Sequence, residues 1–497
     1  MSRSDYGSSE LTTNLFIDGD WCAASDGKTL PIFNPARPQE LVGRVAAATP
    51  HDVDRACLAA HKAFPRWAAL SYAERADYLL KIVQALKSDA EELAARTRLF
   101  TREHGKILKE ASLELSRLGD RFLATASFAQ RLSEEQHLPG PPFDTVICRQ
   151  PRGVAALVVP WNWPLSILGA KLPQALLAGN TVVIKPSKES CLTPALTIRR
   201  MAEILPPGVI NLVTGSSVVI GDPLLTHPLV RKINFTGSID VGRHVMVQAA
   251  ANLTPVTLEL GGNDAGLVLD DAFLDDGAFQ RMYSGIFMST GQICMALKRL
   301  YVHESRYNEV VAGLTKVAEQ QVIGDGLVPE VTMGPLNNRS QYNIVKDILA
   351  EAKASNCEVR ECGRIHSSGE FERGYFIRPT LVLKPDHRMK IVAEEQFGPA
   401  IPIMTFRDDD EAINFANTSN FGLCSSVWTS DRERAMRMAR RLEAGYTYLN
   451  AHGPTAQDNR GPFGGFKHSG IGRNLGYEGI VEFQDYHSIS SQPGWLL

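Results

Sequence analysis

The chain lacks the marks of most specialised classes. Its eight cysteines (Cys22, Cys57, Cys148, Cys191, Cys294, Cys357, Cys362 and Cys424) form no CxxC pair and keep no His-rich spacing. That argues against a zinc site and a disulfide framework, and suits free thiols in a reducing compartment. A formal net charge of −3 over 497 residues gives no general pull toward nucleic acid or an anionic membrane. Apolar runs such as Val154 to Val159 are strand-length, far short of a membrane span. Residues 1–14 are polar and Ser-rich, without the apolar segment of a secretory signal and with too few arginines for a transit peptide. The expectation is therefore a cytoplasmic protein without membrane or nucleic-acid partners. Internal repeats, low-complexity tracts, a G-x-G-x-x-G fingerprint and a P-loop are also missing.

What is present is an ordinary globular composition, 44% apolar and 22% charged, in a chain long enough for two to four domains at roughly 150 residues each. Residues 15–48 read as short strands and turns. From 51 to 132 the period is helical, with an acidic first turn after His51 and a capping box at Ser71-Tyr-Ala-Glu74. Around 135–150 three prolines (Pro139, Pro141, Pro142) and an alternating run suggest an arm. From 152 apolar strands alternate with helical segments: Gly153–Val159, Thr181–Lys185, Val209–Thr214, Lys232–Phe235 and Val256–Leu260. Leu165 to Leu177 is helix-like, with a kink expected at Pro173. Such alternation predicts a parallel sheet covered on both faces. A second series from 264 to 450 predicts a second α/β unit, and the tail from Phe483 to Ser490 alternates like an edge strand able to pair with the arm.

Chemistry concentrates in a few stretches. Ser289-Thr-Gly-Gln-Ile-Cys294-Met-Ala puts one cysteine in a small polar turn between an apolar segment and a charged strand. A thiol there is a candidate nucleophile, although most free cysteines are small buried hydrophobes. Pro160-Trp-Asn162-Trp163-Pro164 follows a strand end, where ligands of open parallel sheets sit, and Asn162 can offer an amide N–H to an oxyanion. Lys185-Pro-Ser187-Lys188 follows another strand and suits ribose hydroxyls or a phosphate. Phe235-Thr-Gly237-Ser238 opens a helix whose N-terminus suits a pyrophosphate. Glu259, against an apolar strand and before Gly261-Gly262, is placed to act as a base of raised pKa. Glu394-Glu395-Gln-Phe397-Gly-Pro is a fifth stretch, and Pro462 to Gly470 a glycine-rich loop pressed against other backbone. Each alone is compatible with a structural role.

Together, in this order and spacing, these stretches resemble the aldehyde dehydrogenase superfamily from about residue 15 to about 490. The resemblance implies a Rossmann-like cofactor domain (1–132 and 152–262), a second α/β catalytic domain (263–470) and a small β oligomerisation arm with tail (133–151 and 471–497). It implies Cys294 as nucleophile toward an aldehyde, Asn162 with the Cys294 N–H as oxyanion hole, and Glu259 as the base that hydrolyses the thioester. Pro160, Trp161, Lys185, Ser187, Lys188, Gly215, Gly221, Phe235, Gly237, Ser238, Glu395 and Phe397 are the implied contacts to NAD or NADP. No metal is implied, and a homodimer or homotetramer is. Lys188 stands where many NAD-preferring members carry a glutamate, so NADP is expected to be tolerated or preferred. Ser217 replaces a usual glycine, and Asn474 a second glutamate. Trp163, Ile167, Ala170, Ile293, Met295 and Phe463 are expected to line a roomy apolar tunnel for an aromatic or medium-chain aldehyde. His452 and Arg460 offer the alternative of reading a semialdehyde's distal carboxylate. A CoA-acylating member and a non-catalytic homologue are the other readings. Glu259 counts against the first, and intact Cys294, Glu259 and Asn162 against the second.

Overall fold

The apolar run Val154–Val159 lies inside an 8-stranded sheet, with side chains buried on both faces. The structure, a computed structural model, describes residues 11–495, so most of the 1–14 stretch and the last two residues of the tail lie outside the described residues. Val256–Glu259, Val230–Thr236, Val154–Val159, Thr181–Pro186 and Ile210–Leu212 are parallel neighbours in that order. The chain thus starts at Val154–Val159, builds outward on one side, then crosses to the other. The reversal falls between Val154–Val159 and Val230–Thr236, where a crevice beyond the carboxyl ends is expected. Leu15–Ile17 and Asp20–Cys22 close one edge antiparallel, and Gly470–Ile471 the other.

Only four residues, 260–263, separate Val256–Glu259 from Asp264–Val268, the first strand of a 7-stranded sheet. There Thr380–Leu383, Ala400–Phe406, Leu297–His303, Asp264–Val268, Cys424–Trp428 and Tyr446–Leu449 run parallel, with Glu358–Glu361 antiparallel at the edge. Helices cover both sheets, giving the expected α/β class. A third sheet pairs Gln484–Ser491 with Asp144–Pro151, and that strand with Gln136–Leu138, all antiparallel. The alternating tail does pair with the arm, and its outer strand is exposed over most of its length. Residues before 484 are not tail, however. The helix Gly476–Val481 docks on the first sheet's helices, with Ile480 and Phe483 fully buried there. Two buried apolar side chains three apart, one on a short helix and one just beyond it, need such a surface.

The helix starts follow their caps. Thr49 and Asp52 form a capping box for Pro50–Ala68, and Ser71 and Glu74 one for Tyr72–Lys87. The kink expected at Pro173 is absent. Two short helices, Pro164–Gly169 and Leu172–Leu177, stand instead, with Pro173 in the first turn of the second. Proline is tolerated there because the first turn has no intrahelical use for its missing N–H. The break leaves Lys171 outside helical geometry.

A buried ion pair fixes the first of these helices. Glu114 accepts the Leu165 N–H at 2.9 Å and the Ser166 N–H at 3.0 Å, and pairs with Lys106, both side chains being fully buried. The Lys106 ammonium also sits 3.9 Å above the Trp163 ring. Removing one partner strands a buried charge, which costs about 3–5 kcal/mol. Lys106→Met should therefore lower the unfolding free energy from urea titration by that order, and Lys106→Met/Glu114→Gln should recover part of the loss. A drop below about 1 kcal/mol for the single variant would mean the pair is energetically idle.

Candidate active site

The segment carrying Cys294 is held in a conformation it would not choose. Ser289 (φ 54°), Thr290 (φ 58°) and Gly291 (φ 74°) follow one another in the left-handed region. Each non-glycine residue there costs on the order of 1 kcal/mol or more, so the surroundings must impose it. Glu110 accepts the Ser289 N–H at 2.7 Å, and the Thr290 hydroxyl donates to the Gly334 carbonyl at 3.0 Å. A Cβ at Gly291 would overlap the Gly398 carbonyl, so two backbones touch. Beyond the turn, Gln292 accepts the Asn337 N–H at 2.9 Å. Lys298, on the strand Leu297–His303, donates to the carbonyls of Ile293 (2.6 Å) and Cys294 (2.7 Å) and pairs with Glu395 at 3.0 Å. The Cys294 side chain remains partly exposed, on a cavity of about 230 Å³.

Asn162 opens on the same cavity. Its side-chain nitrogen donates one N–H to the Gln292 carbonyl at 3.0 Å, which leaves the second for an oxyanion. Its backbone carbonyl accepts from His104 Nε2–H at 2.8 Å. Burial holds His104 well below the usual imidazole pKa, so that ring is a neutral donor. Glu259 ends its strand opposite Gly470, where a side chain would overlap the Leu258 carbonyl. Its carboxyl stands beside the Cys294 thiol and the Thr236 hydroxyl, and its Oε1 is buried without a hydrogen-bond partner among the described residues. Burial raises the Glu259 pKa, opposed by the Lys171 ammonium. Burial likewise pushes the Cys294 thiol well up, the Glu259 charge adds to this, and Lys298 opposes it. Lys171 donates to Asn234 Oδ1, and Asn234 Nδ2 to Asn474 Oδ1 at 2.8 Å. Burial pushes the Lys171 ammonium down to about 7. Asn162 and Cys294 therefore share the cavity and Glu259 stands beside Cys294, while Lys171 and Lys298 are members the sequence reading missed.

The cavity extends along the first sheet's reversal point. Pro160, Trp161, Gly237, Ser238, Glu395 and Phe397 share it with Cys294. The Trp161 and Phe397 rings meet edge to face at 5.6 Å. Gln341, also missed, donates to the carbonyls of Gln396 and Phe397, both at 3.1 Å, and so shapes this wall. Ser238 caps the helix Ile239–Ala250, whose N-terminus faces the cavity with its unpaired N–H groups. The buried Thr236 hydroxyl also lacks a partner. These features fit a dinucleotide. Lys185 donates to the Ser217 hydroxyl at 2.8 Å, and burial pushes its ammonium down to about 8. Ser217 begins the helix Ser217–Leu225, which contains Gly221 and follows the turn at Gly215 (φ 150°). Ser187 and Lys188 lie beyond the strand end. The Lys188 ammonium is exposed, 3.6 Å from Glu189, and borders a neighbouring cavity with Arg339 and Tyr375. Phe235 needs correction as a cofactor contact. It is packed in the apolar core, its ring directly under Gly237, because an aromatic ring on a central strand is best buried.

On the opposite side, Trp163, Ala170, Ile293, Met295 and Phe463 form one apolar cluster, joined by the partly exposed Leu113, Ile167, Met288 and Cys294. The two candidate carboxylate readers do not join it. His452 is buried behind Tyr448, rings 5.2 Å apart, with Nε2 at 3.7 Å from the buried Asp264. Arg460 is exposed and already bidentate to Asp458, at 3.0 and 2.6 Å. Burial removes the first, and a local ion pair occupies the second.

Comparison with known proteins agrees with this geometry. A model of the aldehyde dehydrogenase family matches residues 21–489. The chain is 37% identical over 496 residues to aminoaldehyde dehydrogenase 1, peroxisomal, of Pisum sativum, covering 97% of each. It is 36% identical over 484 residues to a 3-succinoylsemialdehyde-pyridine dehydrogenase of Pseudomonas sp, covering 97% of this chain and 98% of that one. The crystal structure of betaine aldehyde dehydrogenase from Staphylococcus aureus in complex with NAD+ superposes with a TM-score of 0.90 at 31% identity, over 98% of this chain and 96% of that one.

The contact of thiol and carboxylate is measurable without any turnover. Alkylation of Cys294 by iodoacetamide, followed by mass spectrometry, should accelerate only above the ordinary thiol value of 9.0. Glu259 is ionised throughout that range, so Glu259→Gln removes a negative charge that opposes thiolate formation. The onset should move to lower pH, and an unchanged or higher onset would contradict the electrostatic link.

Proposed function

Because the chain belongs to the aldehyde dehydrogenase family, we propose that it oxidises an aldehyde to the carboxylic acid through covalent intermediates on Cys294. The observation that carries this reading is the Glu259 carboxyl beside the Cys294 thiol, which itself shares a cavity with Asn162. The Cys294 sulfur adds to the carbonyl carbon, and its proton passes to Glu259, the adjoining acceptor. The oxyanion of the resulting thiohemiacetal takes the free Asn162 N–H and the Cys294 backbone N–H. A nicotinamide held in the cavity would supply the oxidant, taking the hydride that the thiohemiacetal oxyanion expels as it becomes a thioester. Glu259, once deprotonated again, takes a proton from water as the water attacks the thioester, and the Cys294 thiolate leaves with the acid released.

Pro160, Trp161, Gly237, Ser238, Glu395 and Phe397 would hold the nicotinamide and pyrophosphate, and Lys185 with Ser217 the adenosine ribose. NADP is accepted as well as NAD in this reading. Lys188 and Lys185 offer positive charge near the ribose, and no acidic side chain stands at position 188 to repel a phosphate. The apolar cluster from Leu113 to Phe463 favours an aldehyde with an aromatic or medium-chain body. The exposed strand Gln484–Ser491 supports assembly into a homodimer or homotetramer.

Formation of reduced nicotinamide, followed by its absorbance across an aldehyde panel with both cofactors, tests the reaction. Cys294→Ala should lower turnover by at least about a thousandfold. Glu259→Gln should slow the first turnover and lower the steady rate about 10²–10⁴-fold, since both thiol addition and hydrolysis lose their base. Full turnover with alanine at 294 would end the proposal.

Cofactor choice has its own test. Lys188→Glu should cut kcat/KM for NADP about tenfold or more, through a lost charge-assisted contact, and spare NAD. A strong wild-type preference for NAD, with no response of NADP use to Lys188→Glu, would remove NADP from the reading.

A further inference from the structure

The helix Leu108–Ala126 turns one face toward the apolar cluster beside Cys294. Leu113 packs into that cluster, and Arg117 and Arg121 follow at four-residue spacing on the same face. Arg121 donates to the Ser166 carbonyl and, at 3.4 Å, to Gln457 Oε1. Ser166 adjoins Ile167 and Gln457 adjoins Ala456, both packed on that same cluster. The Glu114 charge, and after it those of Cys294 and Glu259, act on the Arg121 guanidinium. Burial lowers its pKa to about 10, so it stays charged near neutrality.

The neighbouring acids are already committed. Glu114 is paired with Lys106, Asp120 with Lys87 at 3.7 Å, and Asp458 with Arg460 at 2.6 Å. Among the described residues neither Arg117 nor Arg121 enters an ion pair, and Arg117 is exposed. A guanidinium of five donors that spends two on neutral oxygens keeps N–H groups for an anion.

We infer that Arg121, assisted by Arg117, reads a carboxylate at the far end of the aldehyde, so that the preferred substrate is a semialdehyde with an apolar spacer. This rests on the aldehyde oxidation proposed above and names its substrate class. It keeps the idea of a distal carboxylate but moves its recognition from the loop at His452 and Arg460 to the helix Leu108–Ala126. It also separates this chain from an aminoaldehyde user, since an ammonium group would meet two like charges at the mouth. A site built for a polar group discriminates strongly against an analogue lacking it.

The test compares adipic semialdehyde, hexanal and aminobutyraldehyde with wild type, Arg121→Gln, Arg121→Lys and Arg117→Glu. Wild type should show the highest kcat/KM with the semialdehyde and the lowest with the aminoaldehyde. Arg121→Gln should raise KM for the semialdehyde about 10–100-fold with kcat within about twofold, and leave hexanal within about threefold. Arg121→Lys should restore part of the loss, because it returns the charge without the fork. Arg117→Glu is exposed and tolerable to folding. It should move the semialdehyde to aminoaldehyde preference about tenfold toward the amine, less at high salt. An equal loss on all three substrates in Arg121→Gln would show that Arg121 only props the Ser166 carbonyl, and would overturn the inference. So would a wild-type preference for aminobutyraldehyde or hexanal. Absence of turnover with every aldehyde would instead strike the proposed reaction itself, and this inference with it.

Discussion

A thiol and a carboxyl side by side, both shifted upward by burial, cannot both carry charge without large cost. The rest of the site answers that constraint. Burial raises both groups, so each favours its neutral form more than it would in water. The nearby cations oppose this, Lys171 acting on Glu259 and Lys298 on both groups. Lys298 is committed to two carbonyls of the Cys294 segment and to Glu395, and Lys171 to Asn234. The nucleophile is therefore guarded until its proton moves to the adjoining carboxyl. A proton passed between adjoining groups needs no separated charge to cross the apolar wall.

The two sheets are joined so that this pair must meet. Glu259 ends the last parallel strand of the first sheet, and the second sheet begins five residues later, at Asp264. Cys294 precedes a strand of the second sheet that lies directly beside Asp264–Val268. Asn162 leaves the central strand of the first sheet at its reversal point. In the Cys294 segment the strain lies in the turn at 289–291, and the contacts that impose it come from Glu110, Gly334 and Gly398, on separate parts of the chain. The cost of that turn is spread over both domains, so loosening either one loosens the nucleophile.

The strands and caps were legible because their signals are local. A buried parallel strand must be apolar on both faces, and a capping box must close over three residues. The motif residues were legible because they cluster at strand ends. Lys171, Lys298, Gln341 and Arg121 were not. A lysine on an apolar strand reads the same whether its ammonium reaches water or turns inward to carbonyls, and only the tertiary contacts decide. His452 and Arg460 erred in the opposite sense. A polar loop near a motif looks available, but one side chain is buried behind Tyr448 and the other is held by Asp458 two residues away. Pro173 misled because proline breaks a helix interior but suits a first turn, and the spacing alone does not say which turn it occupies.

The amide at Asn474 shapes how Glu259 regains its base form. Lys171, Cys294 and Lys298 are the titratable groups that bear most on its carboxyl. Cys294 is the source of the proton Glu259 must lose, and Lys298 is held by two carbonyls and Glu395. Lys171 remains, with burial bringing it to about 7 and its charge opposing the rise of the Glu259 carboxyl. Its hydrogen-bond chain runs through Asn234 to Asn474, two neutral amides that neither take up nor release a proton. A carboxylate at 474 would stabilise the ammonium and divide its attraction between two acids. With an amide there, the Lys171 charge acts chiefly on Glu259, so this chain relies on one lysine and one glutamate where a second acid would have shared the work.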